Sequence, residues 1–487
     1  MSAAFPKVAQ LKSVEELRAR LQELGLDLPI DERVMSRFEE SPLAQPLNVG
    51  GFQVGNRWCI HPMEGWDAQA NGAPSEFTLR RWQRFGLSGA KLIWGGEAAA
   101  VQPDGRANPR QTMAIPENRA GLKQLLEVLT AAHQQAFGRT DDLLVGLQLT
   151  HSGRFSKPAQ GPFRPRIAQH HPLLEKRYPI RSSDAEVVWT DDDLWRLIDR
   201  FVEAAGLAQE VGFQFVDIKA CHGYLLHEFL GARRRLGPFG GGYDGRTRLL
   251  REIVQRVKAA CPNLLVGVRL SVFDLVPFEP SESRSGQGQP VDHQSLLPYD
   301  LGFGISESDP SQYDLTEPLR LLKELQDWGV SVVNLSCGSP YYNPHIMRPA
   351  AFPPSDGYQP PEDPLVGVVR QIHVVRTCKQ AVPSLPLVGS GYSYLQDYLP
   401  HVAQAVVRAG WVDSVGLGRM VLSYPELPAD SLSGRSLERK KICRTFSDCT
   451  TAPRNQLISG CYPLDTHYKA LPESRELLQI KQQLKRD

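Results

Sequence analysis

Three titratable side chains of different chemistry lie close together near the middle of the chain. Lys219, His222 and Tyr224 follow the apolar run Phe213–Ile218, which is typical of a buried strand. In α/β proteins with parallel strands, ligands bind where the strands end at their carboxyl side. An amine, an imidazole and a phenol at that place suit an anionic or carbonyl group better than a core. For His222 alone a capping loop is the alternative, but the three together predict an active site.

The composition restricts the class of protein. The 487 residues suit one large barrel with extensions. With 55 basic and 54 acidic residues, the net charge of +1 favours neither nucleic acid nor a membrane surface as a partner. No run approaches the ~20 apolar residues of a membrane span, and the first residues lack the order of a signal peptide. Eight scattered cysteines indicate thiols. We expect a cytoplasmic protein that acts on a small molecule, with homo-oligomerisation left open.

Eight short apolar runs alternate with longer amphipathic patterns. Several runs are continuous in β-branched residues and leucine, as in strands buried on both faces. This alternation predicts an α/β fold, a TIM (β/α)8 barrel, over residues 46–427, with an open doubly wound sheet as the alternative. The predicted strands are Arg57–His61, Ala90–Trp94, Leu143–Leu149, Phe213–Ile218, Leu264–Leu270, Val330–Leu335, Leu385–Val388 and Ser414–Gly416.

Helical patterns lie between these strands and before them. Ser13 with Glu16 forms a capping-box pattern, which predicts a short helix in an N-terminal extension of residues 1–45. Thr190 with Asp193 forms another. Residues 428–487 are expected to form a C-terminal extension. The predicted barrel helices are Glu76–Phe85, Asn118–Phe137, Asp191–Gln209, Thr247–Ala260, Glu317–Trp328, Leu365–Lys379 and Leu395–Arg408.

Two long insertions follow predicted strands five and six. Val272–Asp314 is rich in Ser, Gly, Pro and acidic residues, and solvated disorder is its alternative to a lid. Gly338–Pro364 contains Tyr341, Tyr342 and Arg348. Its aromatic content favours contact with a substrate.

Glycine turns follow the last two predicted strands. The turn after strand seven contains Gly391 and Tyr392, and the turn after strand eight contains Gly418 and Arg419. Glycines there expose backbone N–H groups to a phosphate, and an arginine adds a cation. The pair predicts a phosphate site, although glycines that only turn the chain are common.

The chain resembles the Old Yellow Enzyme family of FMN-dependent NAD(P)H:flavin oxidoreductases, in the branch with 2,4-dienoyl-CoA reductase and trimethylamine dehydrogenase. The matching stretches occur in family order across about residues 46–427. They are Asn56-Arg57 with His61-Pro62-Met63, Gly95-Gly96-Glu97, Gln148 to Arg154, His222 to Leu230, Arg235 with Phe239 to Arg246, Val268 to Ser271, Val388 to Gly391, and Gly416 to Arg419.

This resemblance implies FMN as cofactor and NAD(P)H as electron donor. It implies that Pro62 and Met63 support the flavin through their backbone and that Gly96 lies under the ring. Gln148 is expected to bond the pyrimidine edge, and Arg269 to lie beside N1 and favour the reduced flavin. The implied phosphate ligands are Gly391, Tyr392, Gly418 and Arg419.

The resemblance also implies catalytic roles. His222 is expected to bond a substrate carbonyl oxygen, and Tyr224 to protonate an activated alkene that receives hydride from the flavin. Lys219 departs from the family, because many members have histidine there, so amine oxidation stays open. A lysine in this place also permits a Schiff-base aldolase. An ion pair of Lys219 with Asp217 or Glu228 is a further alternative, and so is a non-catalytic flavin-binding protein.

The last part of the chain differs from the larger relatives. Those relatives bind a 4Fe–4S cluster through four cysteines, whereas only Cys443, Cys449 and Cys461 occur here. We therefore expect neither a cluster nor another metal site. No Gly-x-Gly-x-x-Gly follows a strand near the end. Electrons are therefore expected from free NAD(P)H or a protein donor.

Overall fold

A closed ring of eight parallel strands forms the centre of the molecule. The computed structural model describes residues 5–483, so residues 1–4 and 484–487, which belong to the two predicted extensions, lie outside it. Strand β1 (Trp58–Ile60) pairs with β2 (Leu92–Ile93) on one side and with β8 (Ser414–Leu417) on the other, which closes the ring. The remaining strands, in order around it, are β3 Leu144–Thr150, β4 Phe215–Ala220, β5 Leu265–Ser271, β6 Val332–Ser336 and β7 Leu387–Gly389.

The predicted barrel is confirmed, and the alternative of an open sheet is wrong. Each predicted strand is present, with its ends displaced by at most two residues. The displacement matters in β4, which was predicted to end at Ile218 but continues to Ala220. All six residues of β4 are buried, and Lys219 pairs in register with Arg269 of β5. Lys219 therefore lies inside the strand and not in the loop after it.

Helices surround the barrel and cap its ends. Two predicted N-caps are confirmed: the Ser13 hydroxyl accepts a hydrogen bond from the Glu16 N–H, and the Thr190 hydroxyl accepts one from the Asp193 N–H. Each satisfies an N–H that a helix start leaves unpaired. The longer helices are Val14–Glu23, Glu76–Gly86, Arg119–Phe137, Asp191–Val211, Leu225–Leu230, Tyr243–Ala260, Thr316–Asp327, Pro364–Ala381, Leu399–Arg408, Leu427–Ser433, Asp448–Arg454 and Glu473–Gln483. Four-residue helices are Pro172–Glu175, Pro344–Met347, Met420–Ser423 and Thr466–Lys469.

The insertion after β5 is ordered. Its segments Phe278–Pro280 and Gly288–Pro290 pair as antiparallel strands. Tyr299, Leu301 and Ile305 bury their side chains in the same small apolar cluster. The alternative prediction of solvated disorder for this segment is therefore wrong. Its scattered apolar residues together form a local core.

Both extensions pack on the barrel. At the N-terminal side, Arg20 forms an ion pair of 2.7 Å with the buried Asp363 carboxylate. At the C-terminal side, Arg80 donates two hydrogen bonds, of 2.9 and 3.0 Å, to Asp465. Each contact joins a partly exposed arginine to a buried carboxylate, which fixes the extension to the barrel helices. The division of the chain at residues 45 and 427 stays a prediction.

Within residues 5–483, no helix combines the length and the apolar content needed to cross a membrane.

Candidate active site

A cavity of about 250 Å³ lies at the carboxyl ends of the barrel strands. It brings together residues from β3, β4, β5, β6 and β8, and from the turns after β1 and β7, that are far apart in sequence. The predicted site residues that line it are Pro62, Met63, Gln148, Lys219, His222, Tyr224, Arg269, Gly391, Gly418 and Arg419.

Two predicted cofactor residues lie just outside this lining. The Gly96 carbonyl accepts a hydrogen bond from the Met63 N–H at 3.4 Å. A Cβ on Gly96 would lie 2.8 Å from the Trp82 ring, so packing against Trp82 already explains the glycine. Tyr392 is buried, and its hydroxyl packs against Gly389. The cofactor roles of Gly96 and Tyr392 stay predictions.

An acidic side chain joins the predicted catalytic residues. The Tyr224 hydroxyl donates a hydrogen bond of 3.0 Å to Glu64 Oε2 and lies 2.9 Å from the Tyr341 hydroxyl. The Lys219 ammonium lies 3.5 Å from the same Glu64 oxygen and 3.6 Å from the centre of the Tyr224 ring. Lys219 is therefore engaged by Glu64. The considered pairing with Asp217 or Glu228 is wrong, because Glu228 accepts from Arg154 instead.

His222 sits in a strained turn directly after β4. Its backbone is left-handed, with φ of 67°, a conformation that L residues adopt at a cost. The turn is held because the His222 N–H donates to the Ser271 hydroxyl at 3.0 Å and its Nε2 lies 2.8 Å from the Ser336 hydroxyl. Burial, and then the nearby Arg269 cation, hold the pKa of His222 well below its usual range. The ring is therefore neutral and keeps one N–H donor and one acceptor.

A buried carboxylate orients the groups at the ends of β3 and β5. Asp217 accepts a hydrogen bond of 2.5 Å from Gln148 Nε2 and one of 2.6 Å from the Arg269 backbone N–H. Burial raises the pKa of Asp217 to about 6. Arg269 Nε has no acceptor within the described part of the chain. Gln148 and Arg269 thus present fixed polar atoms to the cavity.

Two partly buried arginines line another part of the cavity. The Arg419 guanidinium donates one hydrogen bond of 2.8 Å to the Pro349 carbonyl, and its Nη1 has no acceptor among residues 5–483. Arg348 is held by the hydroxyls of Ser447 and Thr450. Burial, and next the Arg419 cation, lower the pKa of Arg348 to about 9. Two partly buried cations beside each other repel unless an anion joins them, so this end of the cavity suits a phosphate.

These groups fit the cofactor that the resemblance implies. A phosphate can be held by the two arginines and by the backbone N–H groups near Gly391 and Gly418. At the other end, Gln148 and Arg269 offer amide and cationic groups to a polar ring edge. The unpartnered nitrogens of Arg269 and Arg419 are donors of the kind that FMN would satisfy.

Sequence reasoning missed part of the site. Glu64 directly follows the matched His61-Pro62-Met63 stretch, so its position was the available signal. Residues of the C-terminal extension also line the cavity, and no strand-end pattern marked them. They are Cys449, Thr450, Pro453, Arg454, Ser459, Gly460, Cys461 and Tyr468.

The three C-terminal cysteines are thiols near the cavity. Cys443 and Cys461 are buried, and Cys449 is partly buried. Over residues 5–483, the structure contains no group of three or more His, Cys, Asp or Glu side chains arranged to hold a metal ion. The expectation of no iron–sulfur cluster stays a prediction.

Known proteins resemble the chain in sequence and in fold. NADH oxidase of Thermoanaerobacter brockii is 22% identical over 413 residues, which are 82% of this chain and 52% of that protein, so this chain spans about half its length. The old yellow enzyme homologue from Zymomonas mobilis has a TM-score of 0.54 at 20% identity, covering 83% of this chain and 97% of that one. Histamine dehydrogenase from Rhizobium sp. 4-9 has a TM-score of 0.61 at 18% identity, covering 86% and 52%.

These comparisons agree with the barrel. Residues 42–285, half of the chain, match a single family, and they include β1 to β5 with Glu64, Gln148, Lys219 and Arg269. The chain belongs to the NADH:flavin oxidoreductase / NADH oxidase family, whose members are FMN-dependent oxidoreductases.

Proposed function

We propose that this chain takes electrons from NAD(P)H through FMN and reduces an activated alkene of enone or enoate type. One observation carries the proposal: the Tyr224 hydroxyl and the neutral His222 ring share a cavity with the polar groups that suit FMN. A phenol and a neutral imidazole together can donate a proton and polarise a carbonyl. Family membership favours this function over a Schiff-base aldolase.

The roles of the residues follow from their contacts. When bound, FMN supplies hydride chemistry between NAD(P)H and the alkene. Arg348 and Arg419 would hold its phosphate, while Gln148 and Arg269 would orient the polar edge of its ring. His222 donates a hydrogen bond to the substrate carbonyl oxygen. Tyr224 gives its proton to the carbon beside that carbonyl.

A second candidate is the oxidation of an amine. The Glu64 carboxylate accepts a hydrogen bond from Tyr224, whose hydroxyl lies 2.9 Å from that of Tyr341, and a carboxylate near aromatic side chains suits an ammonium group. Histamine dehydrogenase shares the fold. Lys219 opposes this candidate, because its ammonium already lies 3.5 Å from Glu64.

Anaerobic spectroscopy of the purified, FMN-loaded protein separates the two candidates. For an alkene reductase, NADH or NADPH bleaches the flavin, and 2-cyclohexenone restores its colour. For an amine dehydrogenase, an amine such as trimethylamine or histamine bleaches the flavin directly. We expect Tyr224→Phe to slow the restoration by the enone and to leave the bleaching by NAD(P)H unchanged.

A matched control is Tyr178→Phe, because Tyr178, like Tyr224, packs on the Phe155 ring but does not line the cavity. It should behave as wild type in both half-reactions. Protein that binds no FMN, or equal losses in both half-reactions of Tyr224→Phe, would refute the proposed function.

A further inference from the structure

A second cavity, of about 40 Å³, lies behind the turn formed by His222, Gly223 and Tyr224. We call it the inner cavity. Gly223 lines it, whereas His222 and Tyr224 on either side line the first cavity. The insertion after β6 divides in the same way, because Tyr341 lines the first cavity and Tyr342 lines the inner one. The turn is therefore part of the wall between the two cavities, and contacts made behind it bear on the groups that face the substrate.

His227 connects the inner cavity to the turn. The Gly223 N–H donates a hydrogen bond of 2.9 Å to His227 Nδ1, so Nδ1 carries no proton. Burial lowers the pKa of His227, although the nearby Asp274 charge opposes this, so the ring is neutral near pH 7. A neutral ring without a proton on Nδ1 has its proton on Nε2. His227 Nε2 is buried and has no hydrogen-bond partner among residues 5–483.

Other polar atoms of residues that line the inner cavity lack partners as well. Within the described part of the chain, these atoms are Nε and Nη1 of Arg154 and Oε2 of Glu228. The ion pair between Arg154 and Glu228, of 2.7 Å, uses Nη2 and Oε1 instead. A buried donor or acceptor left without a partner costs about 1–3 kcal/mol. The inner cavity therefore suits an occupant that both accepts and donates hydrogen bonds.

Volume and charge identify this occupant as water. A water molecule needs about 10–15 Å³ of cavity volume, so the inner cavity has room for about three. The carboxylates of Glu228 and Asp274 disfavour an anion there. The Arg154 guanidinium and the His227 N–H disfavour a cation. Water accepts from both of these donors and donates to the free oxygen of Glu228.

We propose that the inner cavity binds about three ordered water molecules and that His227 is a positioning residue for the turn. For the roles of His222 and Tyr224, this inference rests on the proposed function. Water accepts the His227 Nε2–H, which keeps the proton off Nδ1 and leaves Nδ1 to hold the Gly223 N–H. His222 and Gly223 are both left-handed, with φ of 67° and 77°, and such backbone persists where surrounding contacts hold it. The bond to His227 thus fixes the directions in which His222 and Tyr224 point.

The FMN-loaded full chain of wild type tests the water site directly. A crystal structure that resolves ordered solvent should place waters within hydrogen-bond distance of His227 Nε2, Arg154 Nε and Glu228 Oε2. The ¹⁵N spectrum of histidine-labelled protein should show His227, assigned by its loss in His227→Asn, as the neutral ring with its proton on Nε2. An empty or ion-filled inner cavity, or a proton on Nδ1, overturns the inference.

Two substitutions separate positioning from a general structural role. His227→Phe keeps an aromatic ring but removes the acceptor of the Gly223 N–H. It should slow reoxidation of the reduced enzyme by 2-cyclohexenone roughly tenfold or more, because a shift of about 1 Å in a catalytic group costs up to about a hundredfold. His227→Asn keeps an acceptor near the place of Nδ1 and should recover part of that rate. Reduction by NAD(P)H and the Kd for FMN should stay as in wild type in both variants.

A matched control is Tyr299→Phe. Tyr299 also lines the inner cavity, but its hydroxyl lies 3.4 Å from His171 and makes no hydrogen bond to the turn within the described residues. It should reoxidise at the wild-type rate. Wild-type reoxidation in His227→Phe overturns the positioning role, and so does an equal loss in both half-reactions.

The crystal structure of wild type needs no variant, so it decides the water site even if His227→Phe does not fold. A wild-type enzyme that no alkene reoxidises overturns the proposed function. In that case the crystal structure and the ¹⁵N spectrum still decide whether the inner cavity holds water and where His227 carries its proton.

Discussion

The two partly buried arginines should contribute the part of the flavin affinity that depends on the phosphate. Arg348 and Arg419 line the same cavity, and their mutual repulsion is relieved only when an anion binds between them. The acidic residue that acts on Arg348, Asp356, is already paired with Arg454. A hydrogen bond to a charged partner contributes about 1.5–3 kcal/mol. At about 1.4 kcal/mol per factor of ten, replacing either arginine by glutamine should raise the Kd for FMN roughly tenfold to a hundredfold.

Riboflavin provides the internal comparison, because it has the same ring and no phosphate. Titration of the apoprotein, followed by flavin fluorescence, should give an unchanged Kd for riboflavin in Arg348→Gln and in Arg419→Gln. Arg370→Gln is the matched control, because Arg370 pairs with Glu362 and does not line the cavity. Removing one of two adjacent cations should leave the thermal stability of the apoprotein unchanged or raised. Equal weakening of FMN and riboflavin, or unchanged FMN binding, would contradict the phosphate role.

Three further predictions concern stability and local geometry. Arg81→Leu leaves two buried carboxylates unpaired and should lower the free energy of unfolding by about 3–5 kcal/mol, measured by urea denaturation. Because the folded pKa of Asp217 is raised to about 6 from an ordinary 3.8, its contribution to stability falls as the pH rises between these values. Wild type should lose roughly 2 kcal/mol through Asp217 between pH 4 and pH 7. Asp217→Asn should abolish this loss, and an unchanged pH profile would argue against it. Gly223→Ala, with φ of 77° and a Cβ 2.9 Å from the Tyr342 ring, should destabilise more than the open-space control Gly138→Ala, with φ of 75°, whose cost is about 1–2 kcal/mol.

The barrel could be predicted from the sequence because its strands are buried on both faces. Continuous apolar runs such as Leu144–Thr150, separated by helices, are typical of the parallel strands of α/β folds. The end of β4 could not be fixed, because Lys219 is polar and polarity usually marks the end of a strand. Here the lysine stays in the strand since Glu64, which lies 155 positions earlier, provides a partner at the barrel mouth.

Most predicted site residues stand at strand ends, which local sequence can show, and Glu64 had the same signal, whereas the position of Arg348 depends on tertiary packing. Gly391, Gly418 and Arg419 stand at strand ends, where topology alone brings side chains together. Arg348 reaches the cavity only because Ser447 and Thr450, about a hundred positions later, hold its guanidinium. No period or motif in either segment signals that contact.

The contribution of the C-terminal extension to the cavity wall sets an order of events during synthesis. Residues such as Thr450 and Tyr468 leave the ribosome after all eight strands have been translated. A nascent chain at that stage contains all eight strand segments but lacks part of the cavity wall. The cavity wall is therefore complete only after the C-terminal extension has emerged and docked. The extension is the last part of the chain to close the pocket.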